Sequence, residues 1–471
     1  MSPQDRSRIA VGSHRNSIFF DNNFRDHHSF VCLTQSKTNG TISSFAIFGT
    51  PSDQEVLPIP VVGSSSEELR TWRLTKSGLV EVDANTMGAF LDKPKTDKTS
   101  ENGEGNGIKF GVSSMQGWRI GMEDAHITET KMADKAPFDS WSFFAVFDGH
   151  AGSEIAEQAS KQIVKRLIAT EQFEELAKVL KETNGQLTKK ALELIETGMV
   201  NGFIKFDEIS RSDDSVNKSG CTAVCAIVTP SHVIIGNLGD SRAMISSKET
   251  EVFGTLDHKP YMEREKRRIE EAGGSVLVQR INGSLAVSRA FGDYEYKNHP
   301  LFPAEKQLVS SEPDIYVRER SHDTDEFLIL ACDGIFDVVQ NDELAHFVRG
   351  RLHVHADLKQ VCDDVLDECL TKGSRDNMTM IVVLFPSAPA VDPARQAVEA
   401  KWIEDVKKVI HEIAEETRTA EDYHPEDMVN VKSIADRIEN SGKTPTPAGV
   451  PSHTIHTLIA QVLTSKQIKH V

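Results

Sequence analysis

The sequence predicts a layered α+β domain with antiparallel sheets, followed by a small all-helical domain. Three observations carry this. Apolar runs of strand length end in polar residues at 140–150, 326–334 and 378–385. Two strand-like runs, 220–230 and 232–245, are separated only by the turn Thr229-Pro230-Ser231, which leaves no room for the helix that a parallel pair requires. Helical periodicity fills the gaps, and after Phe385 it is the sole pattern left.

Residues 1–106 read as a largely disordered extension dominated by Ser, Thr, Asn and Gly, with room for short elements at Phe19-Phe20 and 43–50. The stretch 92–107 (DKPKTDKTSENGEGNG) is nearly free of large apolar groups and is not expected to order itself. Structure is expected from about Ile108, with 107–386 as the main domain. A short strand and a turn are read at 109–117. In 151–169, Ile155, Ala159, Ile163 and Leu167 share one helical face, and residues 171–206 supply further helix.

A charged helix at 261–273 stops at Gly273-Gly274, and Asn282-Gly283 marks a hairpin within 276–287. Helices are read at 341–352 and 358–373, and a closing strand at 378–385. Residues 386–394 read as a linker, and the region 387–471 as a helical domain and tail with helices at 397–417, 428–440 and 454–468.

The chain of 471 residues is 38% hydrophobic, ample for a large core. With 53 Lys plus Arg against 71 Asp plus Glu, the net charge is −18, which argues against a general nucleic-acid binder. The 6 cysteines form no paired metal motif and fit buried thiols in a reducing compartment. No run approaches the ~20 apolar residues of a membrane helix, and the N-terminus lacks a signal-peptide core, so cytoplasm or nucleus is expected.

Chemistry concentrates where strands end. Three apolar strands run into Asp148, Asp240 and Asp333, and Asp376 stands just before a fourth. One Asp at a strand end is ordinarily a turn residue. Four in one domain point to carboxylates gathered at one sheet edge, where mutual repulsion calls for hard divalent cations. Glu123 and Asp124 add two acids beside a short strand. Arg119 has the fork geometry for a phosphate, although alone it would read as a surface ion-pair residue. His150, directly after Asp148-Gly149, has a side chain suited to proton transfer near neutrality.

Motifs in order extend this reading: SSMQGWRIGMEDAH (113–126), FFAVFDGHAG (143–152), SGCTAV (219–224), NLGDSRA (237–243) and LDHKP (256–260). They continue with GGSVLVQRINGSLAVSRAFGD (273–293), VSSEPDI (309–315), LACDGIFDVV (330–339) and GSRDNMTMIVV (373–383). In these the chain resembles the metal-dependent Ser/Thr protein phosphatases of type 2C, specifically the animal branch with a C-terminal helical extension. The resemblance covers residues 107–386 and implies a four-layer αββα sandwich of two antiparallel sheets between helical layers. It implies Mg²⁺ or Mn²⁺ as cofactor, two core ions and a weaker third.

By the same resemblance, Asp148 bridges two metals and Asp333 and Asp376 complete one shell. The Gly149 carbonyl serves the other shell, with Glu123 and Asp124 acting through water. Asp240, Asp333 and Asp337 resemble the set for the third ion. Arg119 would clamp the substrate phosphate and His150 would be the general acid, in direct hydrolysis by water without a phosphoenzyme. Phosphorylated proteins are the implied substrates, among them stress-kinase or growth-factor signalling components, with a monomer as the implied state. The competing readings are a catalytically weak phosphoprotein-binding scaffold and a two-metal nuclease or small-phosphate hydrolase. Cys221 and Phe336 depart from residues common in the family and touch only packing. MGAFLDKP (87–94) resembles the start of the animal enzymes, so Gly88 would be modifiable only if translation began at Met87.

Overall fold

The computed structural model describes residues 71–75, 78–82 and 90–471, apart from 214–217, 249–251, 420–428, 448, 467 and 469–471. Phe19-Phe20, 43–50 and Gly88 lie outside the described residues. The chain divides into two units, Met1–Phe90 and Leu91–Val471. In the first, β1 (Thr71–Thr75) and β2 (Gly78–Val82) pair as an antiparallel ribbon.

From the boundary residue Phe90 onward come β3 (Phe90–Gly105), β4 (Ile108–Arg119), β5 (Ala125–Glu129), β6 (Ser142–Phe147) and β7 (Gly149–His150). Helices α1 (Glu154–Ile168), α2 (Glu171–Glu182) and α3 (Lys189–Ser210) follow. Next come β8 (Gly220–Cys221), β9 (Ala223–Val228), β10 (His232–Leu238), β11 (Arg242–Ser247) and β12 (Phe253–Gly254). After α4 (Glu263–Glu271) stand β13 (Val276–Leu277), β14 (Arg280–Ile281), β15 (Phe291–Gly292), β16 (Asp314–Glu319) and β17 (Asp325–Ala331). The short α5 (Asp333–Phe336), α6 (Asn341–Leu352) and α7 (Leu358–Thr371) lead to β18 (Met378–Leu384). Helices α8 (Pro393–Thr419), α9 (Val431–Ser441) and α10 (Thr454–Ser465) complete the unit.

Two large sheets carry the fold, in the orders β16-β10-β9-β6-β5 and β12-β11-β17-β18-β4-β3, and their recorded registers are antiparallel. The strands are apolar on both faces because each face meets a different core. In β6, Phe143, Ala145 and Phe147 pack toward the cluster with α1–α3, whereas Phe144 and Val146 face the cluster between the sheets. In β17, Leu328 and Leu330 belong to that central cluster, while Phe327, Ile329 and Ala331 join α6 and α7. A period of two thus sorts each run into two cores, giving helix–sheet–sheet–helix layering. On α1, Ile155, Ala159, Ile163 and Leu167 are fully buried, as their spacing predicts. Helices α8–α10 enclose their own core around Val406, Ile410, Ile459 and Leu463. No helix among the described residues is long and apolar enough to cross a membrane.

Several expectations need correction. The stretch 92–107 does order, as most of β3 at the edge of the six-stranded sheet. Its stabilisation comes from hydrogen bonds rather than apolar burial. Ser100 Oγ donates to Asp363 Oδ1 at 2.6 Å, Asn102 Nδ2 donates to Asp357 Oδ1 at 2.5 Å, and Lys98 pairs with Asp367 at 2.7 Å, all on or beside α7. The run 232–245 is not one strand. It breaks at Gly239 (φ 107°), so β10 lies in one sheet and β11 in the other. Asn282-Gly283 does turn the chain back on itself, closed by the antiparallel Ile281–Leu285 bridge, but a further hairpin, β13–β14, precedes it and turns at Val278 and Gln279, both with positive φ. Strand β4 runs on to Arg119, and α8 begins at Pro393, inside the expected linker.

Candidate active site

The acidic residues converge where strands of both sheets end. Asp148 follows β6, Asp240 follows β10 after Gly239, Asp333 opens α5 beyond β17, and Asp376 precedes β18. At this edge their charges act on one another. Burial pushes the Asp148 carboxyl well up, and the neighbouring charges of Asp333, Asp124, Asp376 and Asp240 push it further. Asp333 is raised well above its ordinary value by burial and by Asp240, Asp337 and Asp376. Asp337 is also raised, by burial and by Asp240 and Asp376, with the Lys259 charge opposing. Burial takes Asp124 up to about 7 despite a 2.7 Å hydrogen bond from Thr379 Oγ1 to its Oδ2.

Each remaining expected residue has a definite place. Glu123 accepts from the Gly152 N–H at Oε1 (2.8 Å), and its own N–H donates to Asn377 Oδ1 (2.8 Å). Gly149 pairs with Cys221, and a Cβ there would stand 2.2 Å from the Glu123 carbonyl oxygen. Only a residue without a side chain lets these backbones approach so closely. Arg119 ends β4 and donates from Nη2 to Asp376 Oδ2 at 2.5 Å, while its Nε is buried without a hydrogen-bond partner. His150 Nε2 lies 2.8 Å from Asp293 Oδ2. Burial would lower the His150 pKa, but the Asp293 carboxylate outweighs it, and the net direction is upward.

Four residues beyond those predicted shape the cleft. Lys259 Nζ donates to the buried Asp240 at 2.5 Å, so an ammonium already faces the Asp240–Asp333–Asp337 group. Asn377 ties down the loop after β4, its amide donating to the Gln116 and Gly121 carbonyls. Thr379 fixes Asp124, and Asp293 fixes His150. Lys259, Asp293, Asn377 and Thr379 all stand inside the motifs quoted above, which is the signal that could have found them.

The donor set fits hard divalent cations. Asp124 Oδ1 is buried without a hydrogen-bond partner, and the surrounding carboxylates repel one another. One ligand atom each from Asp124, Asp148 and Cys332 lies within 4.8 Å of the others. The Cys332 thiol does not suit such an ion. Burial and the neighbouring acids hold its pKa well up, and Sγ is engaged by the Thr379 N–H and the Asn377 carbonyl. The five described cysteines are all buried and free; Cys32 lies outside the described residues. Oxygen ligands that repel until a cation arrives suit Mg²⁺-like ions.

Fold and cleft together define a metal-dependent protein phosphatase. The family model described as Protein phosphatase 2C matches residues 108–378, and the chain belongs to that family. It is a protein serine/threonine phosphatase. It is 61% identical to Protein phosphatase ppm-1.A of Caenorhabditis elegans over 92% of this chain and 93% of that protein. It is 46% identical to Protein phosphatase 1A of Homo sapiens over 67% of this chain and 80% of that one. Among solved structures, a phosphatase from Toxoplasma gondii shares the fold with a TM-score of 0.51 at 23% identity, over 62% of this chain and 96% of that chain.

Proposed function

We propose that this chain hydrolyses phosphoserine and phosphothreonine esters on signalling proteins, as a monomer in cytoplasm or nucleus, with two Mg²⁺ or Mn²⁺ ions and a weaker third. Asp148, Asp333, Asp376 and the Gly149 carbonyl would hold the core pair, Glu123 and Asp124 would act through water, and Asp240 and Asp337 would join Asp333 for the third. When bound, the ions supply an activated water at neutral pH and neutralise charge on the phosphoryl group. Arg119 offers its unpartnered Nε to a phosphate oxygen while Nη2 stays anchored on Asp376. His150 gives a proton to the departing serine or threonine oxygen, a leaving group too basic to depart as an alkoxide. The family membership supports phosphoprotein substrates in general.

The observation that carries the reading is the gathering of carboxylates, Asp124, Asp148, Asp240, Asp333, Asp337 and Asp376, at the strand ends of the two sheets, whose mutual repulsion cations relieve. The test is hydrolysis of a phosphothreonine peptide against a nucleotide, each with and without Mn²⁺. Mn²⁺-dependent release of phosphate from the peptide alone is the expected result. A folded, pure sample inert toward the peptide with Mn²⁺ present overturns the proposal.

A further inference from the structure

Strand β8 lies between β7 and β15 in a three-stranded ribbon, and each of its two residues pairs with both neighbours. His150 and Gly292 each pair with Gly220, from opposite sides. Because Gly220 has no side chain, His150 and Asp293 close over it. A Cβ at Gly220 would stand 2.3 Å from His150 Nε2 and 2.4 Å from Asp293 Oδ2. The contact so permitted is the 2.8 Å bond between those two atoms, 143 residues apart in sequence.

Asp293 is also held in a backbone conformation that ordinary residues avoid, with φ 51° and ψ 39°. The neighbourhood over-determines it. The Gly292 N–H donates to Asp207 Oδ1 at 2.8 Å, and the Asp293 N–H to the Ser219 carbonyl at 3.2 Å. Lys297 Nζ bridges Asp207 Oδ2 (2.7 Å) and the Ala290 carbonyl (2.8 Å). Tyr294 Oη donates to the Asp207 carbonyl at 3.0 Å. Asp207 and Lys297 are a buried ion pair whose side-chain hydrogen bonds go to each other and to the segment carrying Asp293. A surface ion pair needs no such frame.

From this geometry we infer that Asp293 is the positioning residue for His150: its carboxylate accepts a hydrogen bond from Nε2–H, fixes the ring plane and tautomer, and leaves Nδ1 as the nitrogen that serves the leaving oxygen. The inference rests on His150 being the proton donor proposed above. It assigns the ribbon β7–β8–β15 and the Asp207–Lys297 pair one purpose, to keep an imidazole from rotating at the cleft.

The test compares Asp293→Asn, His150→Gln and the double variant on a phosphoserine peptide and on p-nitrophenyl phosphate, whose leaving group departs without a proton. Asn tolerates the left-handed backbone, and thermal melts check the fold. For Asp293→Asn, kcat on the peptide should fall by about tenfold or more with KM within about twofold, since loss of an orienting partner typically costs ~10–100-fold. Turnover of the aryl phosphate should change by less than about threefold, and the double variant should be no slower than His150→Gln alone. Gly220→Ala, which forces the two side chains apart without altering either, should reproduce the same selectivity and serves if Asp293→Asn does not fold. Equal slowing of both substrates by Asp293→Asn, or a full multiplicative loss in the double variant, overturns the inference while sparing His150. If His150→Gln itself slows both substrates alike, the proton-donor reading fails and this inference with it.

Discussion

Arg119 Nη2 donates to Asp376 Oδ2 at 2.5 Å, joining the end of β4 to the residue two before β18, across 257 positions of sequence. The pair is half-buried, and the Arg119 Nε beside it has no partner. A buried donor without an acceptor costs stability and awaits a ligand. Arg119→Ala should therefore raise KM for a phosphothreonine peptide by about tenfold or more, as expected for loss of a hydrogen bond between charged groups. Arg119→Lys should recover little of this, because an ammonium cannot bond Asp376 and phosphate along one planar fork. Steady-state kinetics at saturating Mn²⁺ separates KM from kcat.

Asp333 is crowded by the acidic side chains of Asp148, Asp240, Asp337 and Asp376, with the Lys259 charge opposing them. Asp333→Asn removes one source of repulsion, so the metal-free variant should melt a few degrees above the metal-free wild type. Saturating Mn²⁺ should stabilise the wild type strongly, by about 2.7 kcal/mol at a hundredfold excess over Kd, and the variant much less. The acid cluster also sets a pH trend. Asp124, at about 7 when folded against 3.8 as its ordinary value, binds its proton more tightly folded than unfolded. Its contribution is present at low pH and lost as pH rises through about 7, so metal-free protein should melt higher at pH 5 than at pH 8. Calorimetric melts with chelator and with Mn²⁺ check both outcomes.

The strand-end aspartates were legible because fully apolar runs such as 143–147 and 327–331 can only be buried strands, and a buried strand fixes where its last residue emerges. What those ends meet was not legible. Asp293 reaches His150 through a left-handed backbone and over a glycine, and neither feature leaves a periodicity. Lys259 meets Asp240 because the chain changes sheets at Gly239, inside a run that reads as one strand. Strand β3 was missed for a different reason. Its order is supplied by Asp357, Asp363 and Asp367, more than 250 residues away, so its own composition does not reveal it.

Glu265 gives the opposite pH sign. Burial would raise its pKa, but hydrogen bonds and charge from Arg289 and Arg268 bring it down to about 2. Arg289 Nη2 donates at 2.6 Å and Ser288 Oγ at 2.8 Å. With a folded value below the unfolded one, its contribution is complete above about 4.5 and lost as pH falls toward 2. The difference corresponds to about 3 kcal/mol. Glu265→Gln should cost roughly that much at pH 7 and flatten the fall in stability between pH 4.5 and 2, read by denaturant titration at several pH values.

Arg351 of α6 and Glu399 of α8 form a two-pronged pair, Nη1 to Oε2 and Nη2 to Oε1, both at 2.9 Å. Asp364 on α7 accepts from Nε at 2.7 Å, and the Gly449 carbonyl accepts from Nη1 at 3.1 Å. All three charged residues are buried. One guanidinium thus clamps the first C-terminal helix, and the stretch before α10, to the helices behind the six-stranded sheet. Asp364, the Gly449 carbonyl and His355 do not replace the two-pronged carboxylate once Glu399 is gone, and breaking a buried pair costs about 3–5 kcal/mol. Glu399→Ala should therefore lower the melting temperature and expose the connection at 386–392 to limited proteolysis. Peptide phosphatase activity should survive, because no residue of the cleft touches Glu399. Glu404→Ala, on the same helix, removes an exposed partner of Lys408 and should change stability by less than about 0.5 kcal/mol. Equal losses in the two variants would mean that the clamp contributes nothing beyond a surface contact.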